Sequence, residues 1–327
     1  MNDVVREFPR FNSDANEADG WDLSRVVDEL RVVRQEARAS QGRVRDSSGY
    51  ELPSRDVLRD IVRELISVLF PRRLGSPDLR EENEDFFVGH KLDFALNSLL
   101  RQVILELNYF SEPNSENGAN KKQDYEWRAR EIVRKFATAL PRLRRLLDAD
   151  LLAGYQGDPA AHSIDEVLLC YPGIVAIIHH RLAHELFRAD VPLVARIIAE
   201  IAHSETGIDI HPGAQIGGGF FIDHGTGVVI GETAVIGQRV RLYQAVTLGA
   251  KRFPVENNGE LKKGLFRHPL VEDDVVIYAG ATVLGRITIG KGSTIGGNVW
   301  LTRSVPPGSN VTQADSHNEI HSDGSGI

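Results

Sequence analysis

The stretch that decides the fold is "DIHPGAQIGGGFFIDHGTGVVIGETAVIGQRVRLYQAV", Asp209–Val246. Stepping by six from Ile210, the chain places a small or branched aliphatic at every stop through Val246. A second series begins at Val271 and runs without a miss to Leu301. An α-helix cannot produce a six-residue period. The period is typical of a parallel β-helix, in which each coil stacks its inward aliphatics on those of the coil below.

The two series are out of phase, because Val271 follows Val246 by 25 residues, one more than a multiple of six. We therefore expect a loop to leave the coil and rejoin it over 249–268. Upstream, apolar residues recur at three- and four-residue spacing, as in "DVLRDIVRELISVLF", which predicts amphipathic helices. The paired prolines of "SVPPGS" should end strand pairing. The expected divisions are a polar N-terminus 1–22, an α-helical domain 23–205, a parallel β-helix 206–308 and a flexible tail 309–327.

Composition excludes several classes of function. The chain has 327 residues, 42% of them hydrophobic, and a net charge of −8. It lacks the basic stripe of a nucleic-acid-binding protein. No signal-peptide core is evident, and no apolar run approaches the roughly 18 residues of a membrane span, so we expect a cytoplasmic protein. The single cysteine, Cys170, excludes an internal disulfide, and its apolar surroundings predict a buried side chain.

Two polar residues of the repeat form a candidate catalytic pair. Asp209 lies fifteen residues before His224, and a coil takes about eighteen residues, which brings the two close on successive layers. A carboxylate bonded to one imidazole nitrogen fixes the tautomer and leaves the other nitrogen free as a general base. The alternative is structural, because turns favour Asp and an exposed His is common.

Histidines also raise the question of a metal site. His211, His224 and His268 are too scattered to supply a zinc site with two ligands at short spacing. His180 and His184 share a helix face at four-residue spacing without an evident third ligand, and a solvated helix surface is the expected setting. The sequence therefore predicts no metal.

The motif above, followed by "RHP" and the second repeat series, closely resembles the serine O-acetyltransferase family, over roughly Gly157–Pro307. The resemblance implies a left-handed β-helix and direct transfer of acetyl from acetyl-CoA to the hydroxyl of L-serine, giving O-acetylserine for cysteine biosynthesis. It implies that His224 is the general base and Asp209 its orienting carboxylate. The substrate-binding positions it implies are Asp158, Asp223, Arg267 and His268.

The resemblance also implies sites for a cofactor and for partners. Acetyl-CoA should lie in a groove between neighbouring β-helices, in a homotrimer or a hexamer of two trimers. L-Cysteine is the implied feedback inhibitor, and the terminal Ile327 the implied contact with cysteine synthase. Lys251 and Arg252, in a loop longer and more charged than the family's, either meet the CoA phosphates or are simply solvated. The cofactor-binding positions implied are Gly249, Ala250, Ala279, Gly285 and Gly297.

Two alternatives remain open at this level. One is another hexapeptide-repeat acyltransferase acting on a sugar or other small alcohol. It would share His224 but lack the charged set that suits a zwitterion. The other is a non-catalytic scaffold that binds cysteine synthase.

Overall fold

The computed structural model describes residues 21–40, 51–110, 118–252, 254–256 and 259–313, with the backbone alone over 118–123. Most of the expected polar N-terminus and of the flexible tail, with Ile327, lies outside these ranges, so the expectation about cysteine synthase stays a prediction. The chain divides into two units. One consists of residues 1–51 with 112–114, and the other contains the rest of the chain.

The helices occupy the part of the chain before Ile208. The helices are α1 (Leu23–Ser40), α2 (Arg55–Leu69), α3 (Pro71–Leu74), α4 (Glu84–Tyr109), α5 (Gly118–Gly157), α6 (Ile164–Cys170), α7 (Pro172–Arg188) and α8 (Pro192–Thr206), with a 3₁₀ turn at Glu81–Asn83.

Local chemistry sets where these helices begin and end. Ser54 caps α2 by accepting from the Val57 amide at 3.4 Å. Both α7 and α8 begin at proline, whose missing N–H costs nothing at a first helical position. Gly207 ends α8 in a left-handed conformation, φ 69°, and turns the chain into the first strand.

The strands are short and all pair in parallel. They are β1 (Asp209–Ile210), β2 (Gln215–Ile216), β3 (Phe221–Ile222), β4 (Val229–Ile230), β5 (Val235–Ile236), β6 (Arg241–Leu242), β7 (Thr247–Gly249), β8 (Leu270–Val271), β9 (Val276–Ile277), β10 (Thr282–Leu284), β11 (Thr288–Ile289), β12 (Thr294–Ile295), β13 (Trp300–Leu301) and β14 (Asn310–Val311).

Three sheets form the faces of a left-handed β-helix. Each of the first four coils contributes one strand to each sheet, and the last coil contributes β13 to the first sheet and β14 to the third. The first sheet has the order β1-β4-β7-β10-β13, the second β2-β5-β8-β11, and the third β3-β6-β9-β12-β14. Buried aliphatics from all three faces fill the interior. This confirms the predicted fold of a helical region followed by a hexapeptide β-helix.

The register corrects one detail of the six-residue series. Asp209 pairs with Val229, twenty residues on, whereas Val229 pairs with Thr247, eighteen on. The first coil is therefore two residues larger, and the excess lies in the corner between β3 and β4. The series starting at Ile210 coincides with strand residues as far as β3. Beyond β3, each member of the series lies two residues before the buried residue of the next strand. It ran unbroken because both sets are buried and aliphatic.

Two further expectations about the coil can be compared with the structure. The excursion is present between β7 and β8. The prolines do not end strand pairing, because β14 pairs with β12 beyond them. Pro306 and Pro307 instead occupy a corner, where the Pro306 carbonyl accepts from the Ser293 hydroxyl at 3.1 Å.

A buried ion pair fixes the helices to the coil. Arg181 of α7 donates to both carboxylate oxygens of Asp150 of α5, at 2.7 and 2.8 Å. The same guanidinium donates to the Ile216 and Gly217 carbonyls, and Asp150 accepts from the Phe220 amide at 2.9 Å. Two helices and the first coil thus share one polar junction.

Candidate active site

The enlarged corner between β3 and β4 presents His224 to solvent. Its backbone is left-handed, φ 58°, a conformation that non-glycine residues adopt uncommonly and His more readily than most. Gly225 follows at φ 91°, and a Cβ there would lie 2.4 Å from Ile208 of the neighbouring coil, so only glycine fits. The His224 side chain is 71% exposed, as the sequence predicts for a catalytic imidazole.

Two carboxylates interact electrostatically with this imidazole. Asp223, largely buried, places Oδ1 3.8 Å from His224 Nδ1. Asp158 follows the end of α5, where its Oδ1 accepts from the Ala160 amide at 2.8 Å and its Oδ2 from the Tyr171 hydroxyl at 2.5 Å. The Tyr171 bond above all, with help from the Ala160 amide, holds the pKa of Asp158 below its usual range, and the charges of His224 and Arg241 act in the same direction. The surroundings of His224 therefore carry negative charge, and the imidazole is open to solvent.

Tyr171 is a site residue that the sequence reasoning missed. It precedes α7, and Gly173 lets this helix approach β3 so closely that a Cβ there would lie 2.3 Å from the Ile222 carbonyl oxygen. The Tyr171 ring packs 6.3 Å from that of Phe221. Its bond to Asp158 raises the pKa of Tyr171 to about 12, so the phenol stays protonated and donates. The available signal was "YPG", in which proline starts a helix and glycine permits close contact.

Asp209 lies directly below the corner, on β1. Its amide donates to the Val228 carbonyl at 2.9 Å, and Gly227 donates to the Gly207 carbonyl at 2.8 Å, which stacks the two layers. The Asp209 carboxylate lies within 4.8 Å of ligand atoms of Glu200 and His203 on α8. Among the described carboxylates, that of Asp223 is the one with an oxygen within 4.0 Å of a ring nitrogen of His224.

The other two predicted substrate ligands lie at a different edge. Arg267 and His268 end the excursion and contact the corner between β4 and β5, where Arg267 pairs with Glu232 at 2.8 Å. His268 is 6% exposed, so an imidazole expected to bind substrate is largely closed to solvent. It packs on Gly231, where a Cβ would lie 2.1 Å from its Nε2. Burial, aided by the charge of Arg267, lowers the pKa of His268 to about 4, so the ring is neutral.

A cleft of about 660 Å³ lies under the excursion, at the same edge as Arg267. Its charged lining is six cations and one carboxylate: Lys251, Arg252, Lys262, Lys263, Arg267, Arg286 and Glu232. Gly285 lines this cleft, and its amide donates to Gly249 at 2.9 Å. Ala279 and Gly297 lie instead on corners of the His224 edge, where a Cβ on Gly297 would lie 3.3 Å from the Ala279 carbonyl oxygen. The positions implied for the cofactor are thus divided between two edges of one prism.

Two expectations about other side chains are wrong. His180 does not lie on a solvated helix face: it is 3% exposed, and burial lowers its pKa well below the usual value. His184 bonds the Pro212 carbonyl oxygen at 2.8 Å, because α7 lies against the coil and not at the surface. Cys170 is exposed, since it ends the short helix α6 on its outer face.

Among the described helices, no single one is both long enough and apolar enough to cross a membrane. One bent pair, α6 with α7 at 76°, satisfies the length and composition test, and α7 is largely buried within the protein.

A coil of hexapeptide repeats with an exposed imidazole at a corner defines the class of hexapeptide-repeat acyltransferases. Residues 268–303 match the model of the bacterial transferase hexapeptide family. A plasmid serine acetyltransferase of Synechococcus elongatus is 59% identical over 280 residues, which cover 85% of this chain and 87% of that protein. The chain therefore belongs to the serine acetyltransferase family.

Solved structures agree with this assignment. Serine acetyltransferase isoform 3 from Entamoeba histolytica, in complex with cysteine, aligns with a TM-score of 0.67 and 36% identity, over 80% of this chain and 83% of that one. The serine acetyltransferase of Neisseria gonorrhoeae, in complex with serine, aligns with a TM-score of 0.50 and 27% identity, over 79% and 95%.

Proposed function

We propose that this chain transfers the acetyl group of acetyl-CoA to the hydroxyl of L-serine, with His224 as general base. The observation that carries the proposal is the exposed imidazole of His224 beside the carboxylates of Asp158 and Asp223. A solvent-accessible base can be reached by the hydroxyl group of a small alcohol. Two carboxylates can pair with an acceptor that bears an ammonium group. A neutral sugar would have no use for them.

The transfer needs no covalent enzyme intermediate. His224 takes the proton of the serine hydroxyl as its oxygen attacks the thioester carbonyl, forming the new C–O bond. The C–S bond then breaks, and the imidazolium returns the proton to the departing CoA thiolate. Asp209 keeps its proposed part as the orienting carboxylate, since β1 stacks directly on the layer whose corner carries His224.

Serine also carries a carboxylate, and the cation proposed to bind it is Arg267, whose guanidinium can fork onto that group. Arg267 lies on a different edge of the prism from His224. We therefore propose that one protomer's excursion edge faces the His224 edge of the next, so that a trimer completes each site. The split between Gly285 on one edge and Ala279 and Gly297 on the other supports the same arrangement for CoA.

The cleft under the excursion is the proposed site for the anionic part of CoA. Its lining cations outnumber its carboxylate six to one, which favours phosphates. Cysteine differs from serine by one atom and would occupy the acceptor site, as the cysteine complex of the Entamoeba histolytica relative suggests.

An acceptor panel tests the proposed substrate. Release of CoA thiol is measured with L-serine, L-homoserine and glucosamine, with and without L-cysteine. We expect the highest kcat/KM for serine and little or none for glucosamine, which has an ammonium group but no carboxylate for Arg267 to bind. Inhibition by cysteine should be competitive with serine. Equal kcat/KM for serine and glucosamine would overturn the acceptor assignment.

Replacing Tyr171 by phenylalanine tests the role of Asp158. The change deletes a hydrogen bond to a charged group, worth about 1.5–3 kcal/mol, so we expect KM for serine to rise roughly 10- to 100-fold with kcat less affected. Because the bond holds the pKa of Asp158 down, its loss raises that pKa.

The control for this variant is Tyr155→Phe, on an exposed tyrosine of α5. Steady-state kinetics across pH should leave the control unchanged. An unaltered KM for serine in Tyr171→Phe would remove Asp158 from serine binding.

A further inference from the structure

The N-terminal helix α1 has a regular apolar seam. Leu23, Leu30 and Ala37 repeat every seven residues, and Val26 and Val33 lie between them, which gives the a and d positions of a heptad. No residue of α1 is buried. Leu30 is 50% exposed and Val33 58% exposed, and of the five seam residues Ala37 alone is partly buried.

The charges beside this seam indicate what covers it. With Leu23 at position a, Glu29 falls at g and Arg34 at the following e position. In a parallel, in-register pair, each g residue faces the e residue five positions later on the other helix, so Glu29 meets Arg34 in both directions. In an antiparallel pair g faces g, and Glu29 would meet Glu36, a repulsive contact.

We propose that α1 is a self-association helix that pairs in parallel and in register with α1 of a second copy of this chain. Leucine at a with β-branched valine at d also resembles the pattern that favours more than two strands. A helix of eighteen residues is marginal on its own. Tethering to the trimer proposed above would supply the high local concentration it needs, so this step depends on the proposed function.

Disulfide trapping in the full-length chain tests the pairing. Cys170, the one cysteine, is first replaced by serine. Val26→Cys then places a thiol at d, and Ser24→Cys places one at b, on the opposite face, as the matched control. After copper-catalysed air oxidation, a non-reducing denaturing gel should show at least tenfold more covalent dimer for Val26→Cys than for Ser24→Cys.

Charge reversal tests the parallel register. Glu29→Lys in the Val26→Cys chain should lower the dimer yield several-fold, and adding Arg34→Glu should restore it, since the pair is rebuilt with its signs exchanged. Equal dimer yields for the d and b cysteines, no dimer from either, or no rescue by the double reversal would each overturn the proposal. Normal circular dichroism of each variant shows that the chain has folded. The outcome is independent of the acetyltransferase assay.

Discussion

Replacing His224 by alanine lowers kcat for acetyl transfer by about 10²–10⁴, the contribution expected of a positioned general base. The serine hydroxyl has a pKa far above neutrality and needs that base in contact. His224 is exposed at a corner, so the change removes no core packing. We expect CoA-thiol release to fall while urea unfolding and oligomeric state stay as in the unaltered protein.

Asparagine is the sharper replacement at this position. His224 has φ 58°, a conformation that asparagine tolerates better than alanine, so His224→Asn removes the base with little backbone strain. His90→Ala, on an exposed histidine of α4, is the matched control. Turnover within a few-fold of normal in His224→Asn would exclude His224 as the base.

The two acids near His224 can be separated in the same assay. Asp209→Asn should lower kcat with little change in KM for serine if Asp209 orients the imidazole. Asp223→Asn should chiefly raise KM if Asp223 holds the serine ammonium. A reversed pattern would exchange their roles, with Asp223, 3.8 Å from the ring, as the orienting acid.

The fold was predictable because buried residues in a β-helix recur every six residues, a period that an α-helix cannot produce. The series from Val271 to Leu301 coincides with strand positions throughout. The earlier series hid the enlarged corner, since an insertion of two residues moves the count from one buried aliphatic row to another. A pattern of apolar residues alone cannot distinguish those rows.

For the site, the sequence predicted which residue types take part, but it did not predict how they are arranged in space. Nothing in the spacing places Tyr171 on Asp158, because that contact depends on how α7 packs against β3. Likewise, the position of Arg267 relative to His224 depends on the edge of the prism from which the excursion departs. Local sequence does not encode such long-range packing, and the same reason explains why His180 was expected at the surface and is buried.

The largest effect on stability is expected at the junction of Asp150 and Arg181. Their side chains are 0% and 4% exposed, and the guanidinium also satisfies two carbonyls of the first coil. Removing one partner of a buried pair leaves the other charge without compensation, at a cost of about 3–5 kcal/mol. Because these contacts join α5 and α7 to the coil, the loss should loosen the helices that carry Asp158 and Tyr171.

Asp150→Asn is therefore expected to lower the free energy of unfolding by about 3–5 kcal/mol, measured from urea transitions at fixed protein concentration. Asp148→Asn is the matched control. It lies on the same helix and pairs with Arg144 at 2.8 Å, but the two side chains are 51% and 40% exposed, so this pair is worth at most about 1 kcal/mol. Equal destabilisation by the two variants would show that the buried pair is no more important than a surface one. A large difference would show that this buried junction, unlike the surface pair on the same helix, stabilises the fold in which α5 and α7 pack on the coil.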